Sequence, residues 1–167
     1  MYSINVAVPG QVRQLANKLY PELTSFASIR SDHSVLVKRL GEPDVYPHLA
    51  QQTREALAGT TPITVTVTGI DYFADPPRGP GPVVYLTLDS PGLDNLHRDL
   101  VEEMGAMPEL EGQNYTMHIT LARDGSIEDA QRLAEKQVEE ITWTVNELLL
   151  WNAKEAKAAE RISLPVG

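Results

Sequence analysis

The sequence predicts an α+β fold in which two similar lobes carry antiparallel sheets around a central cleft. Each half of the chain reads as strand, helix, strand with a histidine, helix and strand, and His33 and His118 occupy equivalent places in that order. Residues 63–68 alternate apolar residues with threonine, which is typical of an antiparallel strand with one polar face. We therefore expect one domain, residues 1–167, made of two pseudo-symmetric lobes at about 1–78 and 79–167, with room for the C-terminal strands to cross between them.

The first half of the chain contains two strands and two helices before the alternating segment. Residues 3–8 alternate as a strand, which Pro9-Gly10 ends. The helix that follows has its apolar residues at helical spacing: Val12, Leu15, Ala16, Leu19 and Tyr20. The second strand begins at His33 and runs to about Leu40. Asp44 is then the expected N-cap of a second helix, and Gly59 stands where a C-terminal cap belongs.

The second half repeats this order after a loop rich in proline and glycine at 75–82. Residues 83–88 form a strand, and a helix follows with an apolar stripe of Leu93, Leu96, Leu100, Val101 and Met104. The strand that contains His118 comes next. Ser126 is the expected cap of a last helix, whose stripe extends to Ile141. Strands at 143–151 and 161–166 complete the prediction.

The composition limits the classes of function. The chain has no cysteine, which excludes disulfides and thiolate chemistry and makes a reducing cytoplasm the default location. It has no apolar run of about 18 residues and no signal-peptide pattern at its start, so we expect no membrane partner. The formal net charge of −9 opposes non-specific binding to long nucleic acids. We also expect a monomer. No metal is expected, because the sequence has no closely spaced histidines and no cysteines.

The strand around His118 is the best candidate for chemistry. Alternate side chains of a strand share a face, so His118 and Thr120 point the same way while Ile119 and Leu121 point into a core. Arg123 follows directly. An imidazole beside a hydroxyl donor and a cation suits a phosphate group.

This layout resembles the two-histidine (2H) phosphoesterase superfamily, which includes the RNA 2',3'-cyclic phosphodiesterases also called 2'-5' RNA ligases. Its hallmark is a pair of His-x-Thr/Ser motifs on central strands of a bilobal α+β fold. The second motif here, His118-Ile119-Thr120, matches well and has a trailing Arg123. The first matches at His33, but Val35 stands where Thr or Ser is expected. The resemblance covers nearly the whole chain in element order.

The resemblance implies hydrolysis of a 2',3'-cyclic phosphate at an RNA end or on a nucleotide, or the reverse ligation, without metal or cofactor. His33 and His118 would be the catalytic acid and base, in an order that the sequence does not assign. Imidazole suits both roles, because its unperturbed pKa of about 6.5 leaves both forms populated near neutrality. Thr120 and Arg123 would hold the phosphate oxygens as charge builds up on them.

The first motif leaves its hydroxyl donor open. In a regular strand Ser34 faces away from His33, unless a β-bulge brings it round. Otherwise Arg39, which has the same parity as His33, would supply the missing donor. We therefore predict Ser34, Arg39, Thr120 and Arg123 as substrate-binding residues.

Two other functions stay open. The same site would also suit a small cyclic-phosphate nucleotide, such as an ADP-ribose derivative, or a 2'-5' oligonucleotide. The imperfect first motif is also compatible with a nucleotide- or RNA-binding module that has lost turnover. His48 and His97 are expected on the surface. Phe73, Arg78 and the strand from Val83 resemble the middle segment of the 2H family. Tyr72, Phe73 and Arg78 would line the substrate entrance, where aromatic rings stack on bases, but packing or plain loop is the more frequent role of such residues.

Overall fold

The computed structural model describes all residues, 1–167, and contains nine strands and four α-helices. The strands are β1 (Tyr2–Ala7), β2 (Ser28–Ile29), β3 (Ser34–Gly41), β4 (Ile63–Phe73), β5 (Val83–Asp89), β6 (His118–Arg123), β7 (Ile141–Val145), β8 (Glu147–Asn152) and β9 (Lys157–Ser163). The helices are α1 (Gly10–Leu19), α2 (Tyr46–Leu57), α3 (Pro91–Met104) and α4 (Ile127–Ala134). None of these helices is long and apolar enough to cross a membrane.

The strands form two antiparallel sheets of corresponding design. The first has the order β3-β1-β8-β9, and the second has the order β2-β6-β5-β4-β7. In the first sheet β3, which follows His33, pairs with β1, and α1 lies between the two in the chain. In the second sheet β6, which begins at His118, pairs with β5, and α3 lies between the two in the chain. The predicted α+β class with two antiparallel sheets is confirmed. The sheets exchange strands between the halves, since β4 lies in the second sheet and β8 and β9 lie in the first; the division into two lobes stays a prediction.

The helices cover one face of each sheet and bury most of the apolar stripes that the sequence predicts, although Tyr20 of the first stripe is exposed. In α1 the buried residues are Val12, Ala16 and Leu19, and α3 buries Leu93, Leu96 and Leu100. Strand β1 has both faces buried: Ile4 and Val6 enter the core, while Ser3 and Asn5 lie on the opposite face. That opposite face borders the cleft between the sheets.

The C-terminal elements differ from the prediction. Helix α4 ends at Ala134 instead of continuing to Ile141, because Ile141 begins a strand that pairs with β4. The single strand expected at 143–151 is two strands, β7 and β8, which belong to different sheets and meet at Asn146. The chain changes sheets there, and the last strand is 157–163 instead of 161–166.

Two smaller expectations also need correction. Helix α2 begins at Tyr46 after Val45 and has no side-chain cap, so the expected Asp44 cap is wrong, whereas Ser126 caps α4 by accepting a hydrogen bond from the Asp129 N–H. His97 is buried, not on the surface. It is one of the buried residues of α3, and its Nδ1 lies 2.7 Å from the Val37 carbonyl oxygen.

Candidate active site

A cleft of about 420 Å³ lies between the two sheets, where β3 and β6 approach each other. Its polar walls combine one imidazole, one carboxylate, two guanidinium groups, three hydroxyls and one amide. These groups belong to His118, Asp32, Arg30, Arg39, Ser3, Ser34, Thr120 and Asn5. The cleft thus joins a titratable ring to several donors for anionic oxygens, which is the requirement for phosphate chemistry.

The His118 ring is held on three sides. Its Nδ1 lies 2.6 Å from the Thr116 carbonyl oxygen, so Nδ1–H donates and Nε2 is left for a ligand. The ring makes edge contacts with Phe73 and Tyr85, each with centroids 5.2 Å apart. Burial lowers the pKa of His118; the Thr116 carbonyl opposes that shift, and Arg39 adds to it. The ring is therefore neutral around pH 7, with a basic nitrogen available to the cleft.

The hydroxyls of Ser34 and Thr120 lie on opposite walls of the cleft. Ser34 is supported from β1, where Ser3 Oγ donates to Asn5 Oδ1 at 2.7 Å and Asn5 Nδ2 lies 3.5 Å from Ser34 Oγ. Because Ser34 Oγ is on the accepting side of this chain, its own hydrogen can be donated to a ligand. Both predicted hydroxyl residues are therefore in the cleft.

Arg39 reaches the cleft because of a β-bulge in β3. The register shifts between Asn5–Leu36 and Ile4–Lys38, so one extra residue of β3 is accommodated there. The bulge reverses the alternation: Leu36 and Arg39 line the cleft, whereas Lys38 is buried on the other side. Arg39 thus shares a face with Ser34. Equal parity with His33 therefore does not put the two side chains on one face, because the bulge lies between them.

Glu111 fixes this bulge from the loop that precedes β6. Its carboxylate is buried and accepts hydrogen bonds from Lys38 Nζ at 2.6 Å, from the Arg39 N–H at 2.8 Å and from the Met107 N–H at 2.9 Å. Burial by itself would raise the pKa of Glu111, but these three donors outweigh it and hold the pKa below its ordinary value. The ion pair therefore anchors the backbone of Arg39.

Arg30 and Asp32 lie in the segment that follows the short strand β2, and both line the cleft. Residues 28–29 pair with the end of β6, and the Arg30 N–H donates to the Leu121 carbonyl at 2.8 Å. The chain then crosses to the other sheet and becomes β3 at Ser34. Asp32 stands at this crossing, exposed and at the wall of the cleft.

His33 does not line the cleft that contains His118. It precedes β3 with the parity of Val35, which is fully buried, and opposite to that of Ser34. His33 lines an adjoining pocket of about 320 Å³, together with Asn17 and Tyr20, and this pocket shares Arg30 with the cleft. Burial lowers the pKa of His33, and Asp32 opposes that shift. His33 therefore lies next to the cleft that His118 lines, and its catalytic role stays a prediction.

Arg123 also lies outside the cleft. Its Nε donates to the Pro80 carbonyl at 3.0 Å, and one of its terminal nitrogens donates to the Arg78 carbonyl at 2.6 Å. The residue has the opposite parity to His118 and Thr120, and it is the last residue of β6. Its guanidinium therefore fastens the proline-rich loop at 75–82.

A smaller pocket of about 210 Å³ adjoins the cleft and shares His118 and Arg39 with it. Phe73 and Tyr115 give it aromatic walls, and Phe73 is stacked on Tyr85 with centroids 4.3 Å apart. Burial and Asp71 raise the pKa of Tyr85 to about 12, so its phenol is neutral. Of Tyr72, Phe73 and Arg78, the residues considered for the substrate entrance, only Phe73 lines this pocket.

The sequence contains a signal for Arg30 and Asp32, the two charged residues of the cleft that the sequence analysis missed. Arg30, Asp32 and Ser34 are spaced by two, as are His118 and Thr120. Asp32-His33-Ser34 has the same pattern as His118-Ile119-Thr120 when a carboxylate replaces the first imidazole. Alignment on the histidine, instead of on the hydroxyl, shifts the first motif by one residue.

Comparisons with known proteins agree with this architecture. The structure of TT0787 from Thermus thermophilus is 18% identical with a TM-score of 0.69, over 98% of this chain and 97% of that one. Escherichia coli LigT in complex with 3'-AMP is 17% identical with a TM-score of 0.67, over 98% of this chain and 96% of that chain. A structure described as a phosphoesterase is 18% identical with a TM-score of 0.66, over 98% and 97% of the two chains.

Sequence comparison gives the family directly. No curated protein sequence matches the chain significantly. A family model described as the 2'-5' RNA ligase superfamily matches residues 4–157, which is nearly the whole chain. The predicted resemblance to the 2H phosphoesterases and their 2'-5' RNA ligases is confirmed, and the chain belongs to the 2'-5' RNA ligase superfamily.

Proposed function

We propose that this chain is a metal-independent phosphodiesterase that opens 2',3'-cyclic phosphates at RNA ends or on nucleotides. The observation that carries the proposal is the convergence of His118 with Ser34, Thr120 and Arg39 on one cleft. Hydroxyl and guanidinium donors on two walls would hold the non-bridging phosphate oxygens, and the ring would transfer a proton. The family and the fold support a phosphoesterase or ligase type of activity.

The adjoining aromatic pocket favours a nucleotide as the rest of the substrate. A phosphate held near His118 and Arg39 would place its nucleoside within reach of Phe73 and Tyr115, where a base has rings to pack against. Two structures of Escherichia coli LigT contain 3'-AMP and NADP⁺, which supports nucleotide ligands for this fold. The net charge of −9 favours a small substrate or a short RNA end over a long RNA.

Substrate binding would adjust His118 to its task. Without substrate, burial and the two arginines lower the pKa of His118. A bound phosphate brings negative charge next to the ring and neutralises Arg30 and Arg39, and both effects favour the imidazolium. His118 would thus be able to donate a proton from Nε2 to a departing ribose oxygen, and to accept one in the reverse ligation.

An assay of 2',3'-cyclic nucleotides, a short RNA with a cyclic phosphate end and a 2'-5' oligonucleotide tests this proposal. The His118→Ala variant is expected to lose about 10²–10⁴-fold in kcat. The matched control is His48→Gln, since His48 is an exposed histidine on α2, and it should keep wild-type turnover. EDTA should leave the rate unchanged. A large loss with EDTA, or an active His118→Ala variant, would refute the proposal.

One observation favours a second candidate, a nucleotide-binding module without turnover. The cleft contains one histidine instead of the two that the family motif provides. Calorimetry with 3'-AMP separates the two candidates when it is combined with the activity assay. Tight binding together with no product from any cyclic phosphate would establish the module.

A further inference from the structure

Strand β3 lies at the edge of the first sheet, so β1 pairs with it on one side and no strand pairs with it on the other. Backbone groups on such an edge need other hydrogen-bond partners. The bulge beyond Leu36 adds to this need, because an extra residue interrupts the ladder with β1. Arg39 follows directly after the bulge and lines the cleft. Its position there depends on what holds this part of β3.

Three side chains from outside the first sheet bind the backbone of the bulge. The Tyr115 hydroxyl donates to the Leu36 carbonyl oxygen at 2.9 Å. His97 Nδ1 lies 2.7 Å from the carbonyl oxygen of the next residue, Val37. The third partner is the buried carboxylate that accepts from the Arg39 N–H at 2.8 Å. Side chains of α3 and of the loop before β6 therefore take the place of a neighbouring strand.

His97 also restrains the ring of Tyr115. The two rings are stacked, with centroids 3.7 Å apart and an angle of 13° between their planes. His97 Nε2 accepts a hydrogen bond from the Gly112 N–H at 3.1 Å, so the proton of the neutral ring is on Nδ1, which donates to the Val37 carbonyl. The imidazole thus joins the loop to the bulge in one tautomer, and its stacking keeps the Tyr115 hydroxyl aimed at β3.

Of these three side chains, Tyr115 is the one that also belongs to the substrate site. Its ring is a wall of the aromatic pocket that would hold the nucleoside, whereas its hydroxyl binds the backbone of β3. Leu36 and Arg39 line both this pocket and the cleft. Burial raises the pKa of Tyr115, so its phenol stays protonated and remains a donor. One side chain therefore connects the nucleoside pocket with the strand that carries the phosphate-binding guanidinium.

We propose that Tyr115 is a positioning residue for Arg39: its hydroxyl holds the bulge at Leu36, and the bulge directs the guanidinium toward the substrate phosphate. This inference rests on the proposed function and names a residue that prepares its phosphate site. The hydroxyl acts through Arg39 and does not touch the phosphate. Without it, the Leu36 carbonyl loses its partner, the bulge relaxes and the Arg39 side chain adopts more orientations. A guanidinium that is not preorganised stabilises the charge of the transition state less.

The test removes the hydroxyl alone, since Tyr115→Phe keeps the aromatic wall of the pocket and the stacking on His97. Tyr2→Phe is the matched control, because the Tyr2 hydroxyl also makes one hydrogen bond in the first sheet, accepting from Asn152 Nδ2 at 3.2 Å, and lies outside the cleft. Calorimetry measures the affinities for adenosine and 3'-AMP, and hydrolysis of 2',3'-cyclic AMP gives kcat and KM. Tyr115→Phe is also made in an Arg39→Ala background. Thermal unfolding verifies that the variants are folded.

Tyr115→Phe should bind 3'-AMP about 3–10-fold more weakly, which is the size of one hydrogen bond, and should bind adenosine as the wild type does. Its kcat should fall while its KM rises, because Arg39 also faces the charge that develops in the transition state. In the Arg39→Ala background the same substitution should change the affinity for 3'-AMP by less than about twofold, since the group through which the hydroxyl acts is absent. Tyr2→Phe should match the wild type in every measurement.

Two results would overturn the positioning role and leave the proposed function in place. One is unchanged affinity for 3'-AMP together with unchanged turnover in Tyr115→Phe. The other is an equal loss of affinity in the wild-type and Arg39→Ala backgrounds, which would show that the hydroxyl acts without Arg39. If the wild type binds 3'-AMP but opens no cyclic phosphate, the proposed phosphodiesterase fails instead, and the affinities in the two backgrounds still decide the role of Tyr115.

Discussion

Replacement of Glu111 by glutamine tests the anchor beneath the active site. The Lys38 and Glu111 side chains are almost fully buried, with Nζ and Oε1 2.6 Å apart. At an effective dielectric constant of about 20, the attraction across that distance is about 6 kcal/mol. Glutamine keeps the shape and one acceptor oxygen but removes the countercharge of a buried ammonium. Loss of one partner of a buried ion pair costs about 3–5 kcal/mol.

Urea denaturation followed by circular dichroism measures this cost as a change in the free energy of unfolding. A loss of that size corresponds to a fall in Tm of roughly 6–20 °C for a chain of this length. Glu102→Gln, an exposed acid on α3, is the matched control and should change stability by less than about 0.5 kcal/mol. In a double-mutant cycle with Lys38→Met, the double variant should be more stable than the sum of the single losses predicts. A loss below about 1 kcal/mol in Glu111→Gln would refute the role of the pair.

The pH dependence provides an independent check of the same residue. The pKa of Glu111 is lower in the folded protein than its ordinary value. Such a carboxyl group contributes stability that is fully present above the ordinary pKa and is lost as the pH falls through the lowered value. The wild type should therefore lose more stability in acid than Glu111→Gln does. Equal acid sensitivity of the two proteins would contradict this account.

Three further predictions concern a buried histidine of α3, the nucleoside pocket and His118. His97→Leu leaves the Gly112 N–H, which donates to His97 Nε2 at 3.1 Å, without a partner; we expect a loss of about 1–3 kcal/mol in the free energy of unfolding, measured in urea. Phe73→Ala removes an aromatic wall of the nucleoside pocket; calorimetry should show weaker binding of 3'-AMP by about 1–3 kcal/mol and unchanged binding of inorganic phosphate. Burial lowers the pKa of His118 and bound phosphate raises it, so the affinity for 3'-AMP should fall as the pH rises through neutrality; calorimetry at several pH values should show a smaller fall in His118→Ala.

Much of the fold follows from local patterns in the sequence. Helical stripes and strict alternation identified α1, α3 and β4, because each buries one face. The predictions of secondary structure are wrong where pairing with a distant strand decides whether a segment is a helix or a strand. Ile141 fits a helical stripe by spacing, yet it pairs with Val67 in a strand. Likewise, the two-residue strand β2 has no pattern of its own and exists because it pairs with β6.

Residues that line the cleft were predicted on both walls, but their geometry was predictable on one wall only. On β6, simple alternation correctly places His118 and Thr120 together. On β3, a bulge beyond Leu36 reverses the alternation, and the strand begins at Ser34, after His33. Nothing in a single sequence marks a bulge that is held by a carboxylate as distant as Glu111.

A crystal structure of the protein with 3'-AMP tests the central claim most directly. We predict that the phosphate lies in the cleft between β3 and β6, in contact with the hydroxyls of Ser34 and Thr120 and with the Arg39 guanidinium. His118 Nε2 should then be within about 3 Å of a phosphate or ribose oxygen. A nucleotide bound in the pocket of His33 instead of in the cleft would contradict the account.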